Sequence, residues 1–474
     1  MTGLLDEARV LAAIDGRARA TVEEIRSAIR QPSVSQTGEG VEAMAAWTRS
    51  YLEALGADVR QVPGTRAPFV EGELITGSDR PTLLFYELYD VQPAKGQPGW
   101  TVDPFAAELV TDANGRERIV GRGAFNSKGP LVGALAAIRA FREAKVELPV
   151  NFRFLIEGEE EVGSPSLPGY IERNRNILGG CDAAFIPYFG TTAKGDTVIR
   201  LGFKGLTLLE FRVTGGAWGG PSRGDIHALH GAVIGSPSWE LVRALSTLTD
   251  GEGRVTIDGL AAITPPPAPE DLELVEQAAR HHDLEAYCTE IGAVKTRHAT
   301  PRDALHATMF DVTLNIDALV AGKLEDGKEP ATVIPKTARA FADLRLLPGM
   351  KADDVLSLIR AHLDRRGFQH VEVVCRSSYP ASRASVKEPV VRALIAAMGA
   401  EAKHLRVFPI HAGAAPMYVF SETLGMPYVF GGVGHGAGSH GPNEYIMADD
   451  VAPFMRSVAS FFYRFAETWN QARA

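Results

Sequence analysis

At 474 residues and with 45% apolar and 23% charged positions, the chain reads as an ordinary water-soluble protein too long for one hydrophobic core, so two domains are expected. A net charge of −9 without any Lys/Arg cluster beyond short pairs argues against a nucleic-acid partner. No apolar run reaches the roughly 20 residues that cross a bilayer, and charges interrupt "MTGLLDEARVLAAIDGRARATVEE", so neither a signal peptide nor a membrane anchor is expected there.

Helical spacing of apolar residues over 5 to 31 and 40 to 55 predicts two helices before the first strand. An apolar run at 82 to 91, a Gly-rich turn into a helix at 121 to 143, and strands at 150 to 156 and 182 to 187 then alternate in the manner of an α/β protein with a mostly parallel sheet flanked by helices. From about 199 the texture becomes α+β, with long strands in "TVIRLGFKGLTLLEFRVTG" and "TVIPKTARAFADLRLLPG" and helices at 237 to 248 and 351 to 366. "ITPPPAPEDLE" is a surface excursion leading into a short helix. Past about 380 the first texture returns with a helix at 388 to 399, the strand "PYVFGG" and a closing helix from about 448 to 471. The expected boundaries are therefore 1–198 and 379–474 for a discontinuous catalytic domain and 199–378 for an inserted one. Cys181, Cys288 and Cys375 are odd in number and far apart, which speaks against a disulfide framework and for a cytoplasmic location.

Four polar clusters fall at the carboxyl ends of the predicted strands, where open α/β sheets bind ligands. "EGEEEVGSPS" places Glu157, Glu159, Glu160 and Glu161 together; such a run is either a solvated turn or a cation site and general base. His440 in "SHGPNEY" is either a surface residue or a ligand or acid/base group facing those carboxylates. "GRGAFNSKGP" does not have the spacing of a phosphate-cradling loop, and Lys128 opens a helix. His227 and His230, near Asp225, suggest either zinc or a loop that packs or reaches a substrate.

With "YDVQP", "WTVDPF", "TVIP" and "LRLLPGM", these clusters follow one family's order. The chain resembles, from its first helices to its last, the zinc-dependent peptidases that include carnosinase-type dipeptidases, aminoacylase, succinyl-diaminopimelate desuccinylase and glutamate carboxypeptidase. The resemblance implies that the inserted domain is a lid and dimerisation module, hence a homodimer, and that the substrate is a small molecule with a carboxylate. It implies Glu160 as general base, Glu161 and His440 as ligands of a second metal, Asp90 as support for a first-metal histidine, His227 as the residue that polarises the scissile carbonyl, and Arg345 as holder of the substrate carboxylate. His411, Gly413 and Ala414 match a substrate-facing loop.

Three positions depart from that pattern together. Leu88 stands at the zinc-binding histidine, Asn126 at the bridging aspartate and Tyr188 at a third carboxylate. Leucine has no lone pair, a neutral amide binds a dication weakly, and a phenol with an ordinary pKa of about 10 stays protonated at pH 7. The expectation is no cofactor, or at most one zinc or similar ion at low occupancy on Glu161, His440 and Asn126. Glu160 would then act as a metal-free acid/base, with Tyr188, His411, His435 or His440 as partner acids, on a peptide-like or N-acyl amino acid substrate. A one-metal amide hydrolase and an inactive ligand-binding member are the alternatives.

Overall fold

The computed structural model describes residues 2–322 and 331–473. The chain divides into two units: Met1–Leu201 with Ala384–Phe408 and Val419–Ala474, and Gly202–Arg383 with Pro409–Tyr418. The inserted unit thus takes in a return segment at 409–418 that the texture of the sequence assigns to the first unit.

The first unit is built on a six-stranded sheet in the order Asp58–Val62, Phe69–Leu74, Asn151–Glu157, Thr82–Leu88, Ala183–Pro187, Tyr428–Gly431. The last four run parallel, and Phe69–Leu74 is antiparallel to Asn151–Glu157 and to Asp58–Val62. Strands covered on both faces need apolar residues at successive positions instead of alternate ones, which is why "TLLFYEL" is buried almost throughout. In register, Leu88 stands opposite Glu157, so the first predicted motif and the glutamate run leave the sheet side by side.

The helix Lys128–Glu143 is buried over most of its length and packs against Thr2–Arg30 and Val451–Arg473. Its small residues permit this: a Cβ at Gly133 would lie 2.9 Å from the Phe454 ring. Phe85, Phe152, Phe185 and Phe462 fill the sheet–helix interface, each contributing about 1.5–3 kcal/mol by burial.

The inserted unit has a four-stranded antiparallel sheet, Thr313–Ala321, Thr337–Leu346, Gly205–Thr214, Val371–Tyr379, backed by Pro237–Leu245 and Ala352–Arg365. Alternating burial along Thr337–Leu346 reflects helices on one face only. The long strand read from "TVIRLGFKGLTLLEFRVTG" is broken into Asp196–Arg200, Gly202–Phe203 and Gly205–Thr214, and the first piece pairs in parallel with His404–Phe408 within the first unit. The Pro-rich excursion leads into the helix Pro269–Ala279, followed by Leu284–Ile291 and Pro301–Phe310, which the sequence reading leaves out. All three cysteines are free thiols. Among the described residues no helix is long and apolar enough to cross a membrane.

Candidate active site

Each strand of the parallel core delivers one piece of the site. After Thr82–Leu88, the Asp90 carboxylate accepts the backbone N–H groups of Glu160 (3.3 Å) and Glu161 (3.0 Å), fixing the short 3-10 turn Glu160–Val162 that follows Asn151–Glu157. Burial raises Asp90 to about 7, opposed by its hydrogen bonds to Ser35 and the turn. Asp90 therefore positions the two glutamates.

The run of glutamates separates by function. Glu157 is buried against the Tyr86 hydroxyl at 2.6 Å, and burial raises it to about 8. Glu159 is consumed by the backbone N–H groups of Arg66, Ala67 and Ser166. Glu161 is almost fully buried and meets Gln92 Nε2 at 2.9 Å, Asn126 Nδ2 at 2.6 Å and His440 Nε2 at 3.0 Å. Among the described residues no donor reaches the Glu160 carboxyl, which burial, then Glu161, Asp90 and Glu157, push up to about 8.

His440 adopts φ 63° and leans on Glu161, whose hydrogen bond raises the imidazole above its ordinary value. Asn126 Nδ2 lies 3.1 Å from the same His440 nitrogen. Glu161, His440 and Asn126 thus form a triangle. A protonated His440 Nε2 and the Asn126 amide N–H both donate to the Glu161 carboxylate, which has two oxygens to receive them. The carboxylate and a deprotonated His440 nitrogen are also the groups that would face a cation bound there.

The remaining predicted positions differ. Leu88 is buried and offers its carbonyl to the Ser127 hydroxyl at 2.8 Å. Tyr188 is packed against the rings of Phe125 and Phe430 at 4.8 and 4.7 Å, and burial holds its phenol protonated well above the ordinary range. Neither supplies a metal donor, and among the described residues no group of three or more His, Cys, Asp or Glu is arranged for a metal. Leu88 and Tyr188 leave a dinuclear set short of ligands; Glu161 and His440, with the Asn126 amide were it to turn its oxygen inward, are the groups that could hold one divalent ion. His435 is held by the Thr191 carbonyl (2.8 Å) and the Tyr445 hydroxyl (3.1 Å).

Two residues with no role in the sequence reading hold the site in shape. Glu444 is fully buried, pairs with Arg122 Nη1 at 2.7 Å, and accepts the N–H groups of Gly123, Phe125 and Asn126. Arg122 Nη2 in turn donates to Gln97 Oε1 and to the His440 carbonyl. Their signal was a charged residue inside each of two glycine-rich motifs, "GRGA" and "HGPNE". Lys128 is buried at the start of its helix, donates to the carbonyls of Ala28 and Gln31, and is lowered by burial to about 7.

His227, Arg345, His411, Gly413 and Ala414 belong to the inserted unit. Exposed His227 accepts the Leu229 N–H at 3.1 Å, capping the Ala228–Ala232 turn, and Asp225 accepts the Lys336 N–H; among the described residues His227, His230 and Asp225 are not arranged as a metal-holding group. Arg345 pairs with Asp343 at 2.7 Å. The His411 and Gly413 carbonyls accept the Lys204 N–H, while Lys204 Nζ donates to the Asp311 carbonyl at 2.6 Å.

Comparison with known proteins gives the family of the chain. Residues 84–464 match the model of peptidase family M20/M25/M40. The chain belongs to this peptidase family. It is 28% identical over 334 residues to the human Beta-Ala-His dipeptidase, covering 68% of this chain and 63% of that protein. It is 28% identical over 369 residues to the Cys-Gly metallodipeptidase dug1 of Schizosaccharomyces pombe, covering 74% of each. An M20 family metallo-carboxypeptidase from Sulfolobus solfataricus superimposes with a TM-score of 0.81 at 30% identity, covering 94% of this chain and 99% of that one. The α/β fold with a mostly parallel sheet and an inserted domain is that of the family, and the human and Schizosaccharomyces pombe relatives are named dipeptidases.

These relatives correct one expectation. Ligand identity alone led to a site without a cofactor, but a metallodipeptidase and a metallo-carboxypeptidase among the relatives point to a metal. The physical reason is the triangle of Glu161, His440 and Asn126, which the loss of Leu88 and Tyr188 as donors leaves intact.

Proposed function

We propose that the chain is a dipeptidase-like hydrolase of small peptides or N-acyl amino acids that works with a single divalent metal ion and with Glu160 as general base. The observation that carries this reading is the convergence of Glu161, His440 and Asn126 within 2.6 to 3.2 Å, with the undonated Glu160 carboxyl next in sequence. The three groups would hold the ion, which when bound supplies Lewis acidity to the peptide carbonyl.

The chain's own residues then divide the work. Glu160 takes the proton of the attacking water and returns it to the leaving amine, as a general base that becomes the general acid. Asp90 fixes the turn that aims Glu160, and Glu444 fixes the loop that carries Asn126. Tyr188 stays a neutral phenol at the strand end. His227 in the inserted unit is the group proposed to polarise the scissile carbonyl. The apolar residues Ile316, Leu319 and Val320, exposed on the edge strand Thr313–Ala321, support pairing with a second copy through that unit.

The test combines metal analysis with a panel of unblocked dipeptides, Cys-Gly and β-Ala-His among them. One metal ion per chain, lost in Glu161→Ala and His440→Ala together with hydrolysis, is the expected result. Two ions per chain, or hydrolysis that survives Glu160→Gln undiminished, would overturn it.

A further inference from the structure

Arg200 ends the strand Asp196–Arg200, paired in register with Phe408. The strand lies alongside the chain leaving Tyr188, since the Val198 N–H donates to the Gly190 carbonyl at 2.9 Å, and Val198 and Arg200 share one side of it. The guanidinium is half-buried, and its charge is felt by the Tyr188 phenol. Among the described residues it has no carboxylate, carbonyl or hydroxyl as a hydrogen-bonded partner.

Other arginines withdrawn from water in the same unit are paired. Arg406 on the adjoining strand meets Asp196 at 2.6 Å, Arg122 meets Glu444, and Arg17 meets Glu24 and the Ala136 carbonyl. Taking a guanidinium partly out of water without an anion is costly, and burial accordingly lowers Arg200 from its ordinary value. A planar fork of donors with no partner matches a carboxylate in geometry and charge. Arg345, by contrast, is already engaged by Asp343.

We infer that Arg200 is a substrate-binding residue of the catalytic unit, receiving the free carboxylate of a peptide-like substrate beside Tyr188. This deepens the dipeptidase reading and rests on it. The Tyr188 ring, fixed between Phe125 and Phe430, then forms one wall of the carboxylate pocket.

The experiment compares the parent with Arg200→Met, which keeps the aliphatic stem, and Arg200→Lys, on a dipeptide and on the same dipeptide amidated at its C-terminus. Loss of a charge-assisted bond should raise KM for the free acid by about 10- to 100-fold in Arg200→Met with kcat near the parent's, and lysine should restore part of it. The amidated peptide should not distinguish the three proteins. Equal losses on both peptides, an unchanged KM, or a sharp fall in the unliganded Tm of both variants would overturn the assignment. If the parent cleaves no dipeptide, the hydrolase reading fails on its own, and an N-acetyl dipeptide still decides about Arg200. A Tm rise in the parent that is absent in Arg200→Met supports it; an equal rise in both refutes it.

Discussion

Asn126 Nδ2 and Glu161 Oε1 lie 2.6 Å apart, with the amide turned so that its nitrogen faces the carboxylate. In this orientation the amide oxygen faces away, and metal binding requires the amide to turn over. Replacing the amide with a carboxylate, Asn126→Asp, removes that step and sets two negative groups against one another until a cation joins them. Affinity for zinc, measured by competition with a chromophoric chelator, should tighten by about ten- to a hundredfold. The metal-free variant should melt below the parent. Unchanged affinity would remove Asn126 from the metal site.

Glu160→Gln keeps the shape of the side chain and abolishes its basicity. A fall in kcat of about 10²- to 10⁴-fold is expected, with metal content and KM close to the parent's. A variant that loses its metal instead would make Glu160 a ligand.

Glu444→Ala should cost about 3–5 kcal/mol of apparent stability in denaturant unfolding, because Arg122, 1% exposed, is left without its counter-charge. The N–H groups of Gly123, Phe125 and Asn126 lose their acceptor as well. Metal affinity should weaken in the same variant. A change no larger than that of an exposed glutamate would refute the buried pair.

The Glu160 carboxyl titrates near 8 in the fold, against 4.5 ordinarily, because it is buried beside other acids. Between those values the folded chain keeps a proton that the unfolded chain has released, so this group destabilises the fold increasingly as pH rises from 4.5 to about 8. In chelator-treated protein the Tm advantage of Glu160→Gln over the parent should grow across that window and level off above it. A difference independent of pH would show that Glu160 titrates normally.

Much of the fold is legible because burial on both sheet faces writes itself as continuous apolar runs, as in Thr82–Leu88 and Ala183–Pro187, and helices announce themselves by their period. Glu160, Glu161, Asn126 and His440 were legible because each sits in a short motif at a strand end. What escaped depends on distant partners. The pairing of Asp196–Arg200 with His404–Phe408 has no local signature, so a strand of the first unit was read into the second. Arg122 and Glu444 look like ordinary charges until the fold buries them together. The metal was misjudged because ligand identity was weighed position by position, whereas Glu161 and His440, distant in sequence, face each other only in the fold.

The Arg122–Glu444 pair joins positions 322 apart in sequence. On a ribosome, the loop bearing Asn126 is made long before the residue that fastens it. Until the segment with His440 and Glu444 emerges, the nascent chain carries Glu161 without its imidazole partner and the Asn126 loop without the carboxylate that anchors it.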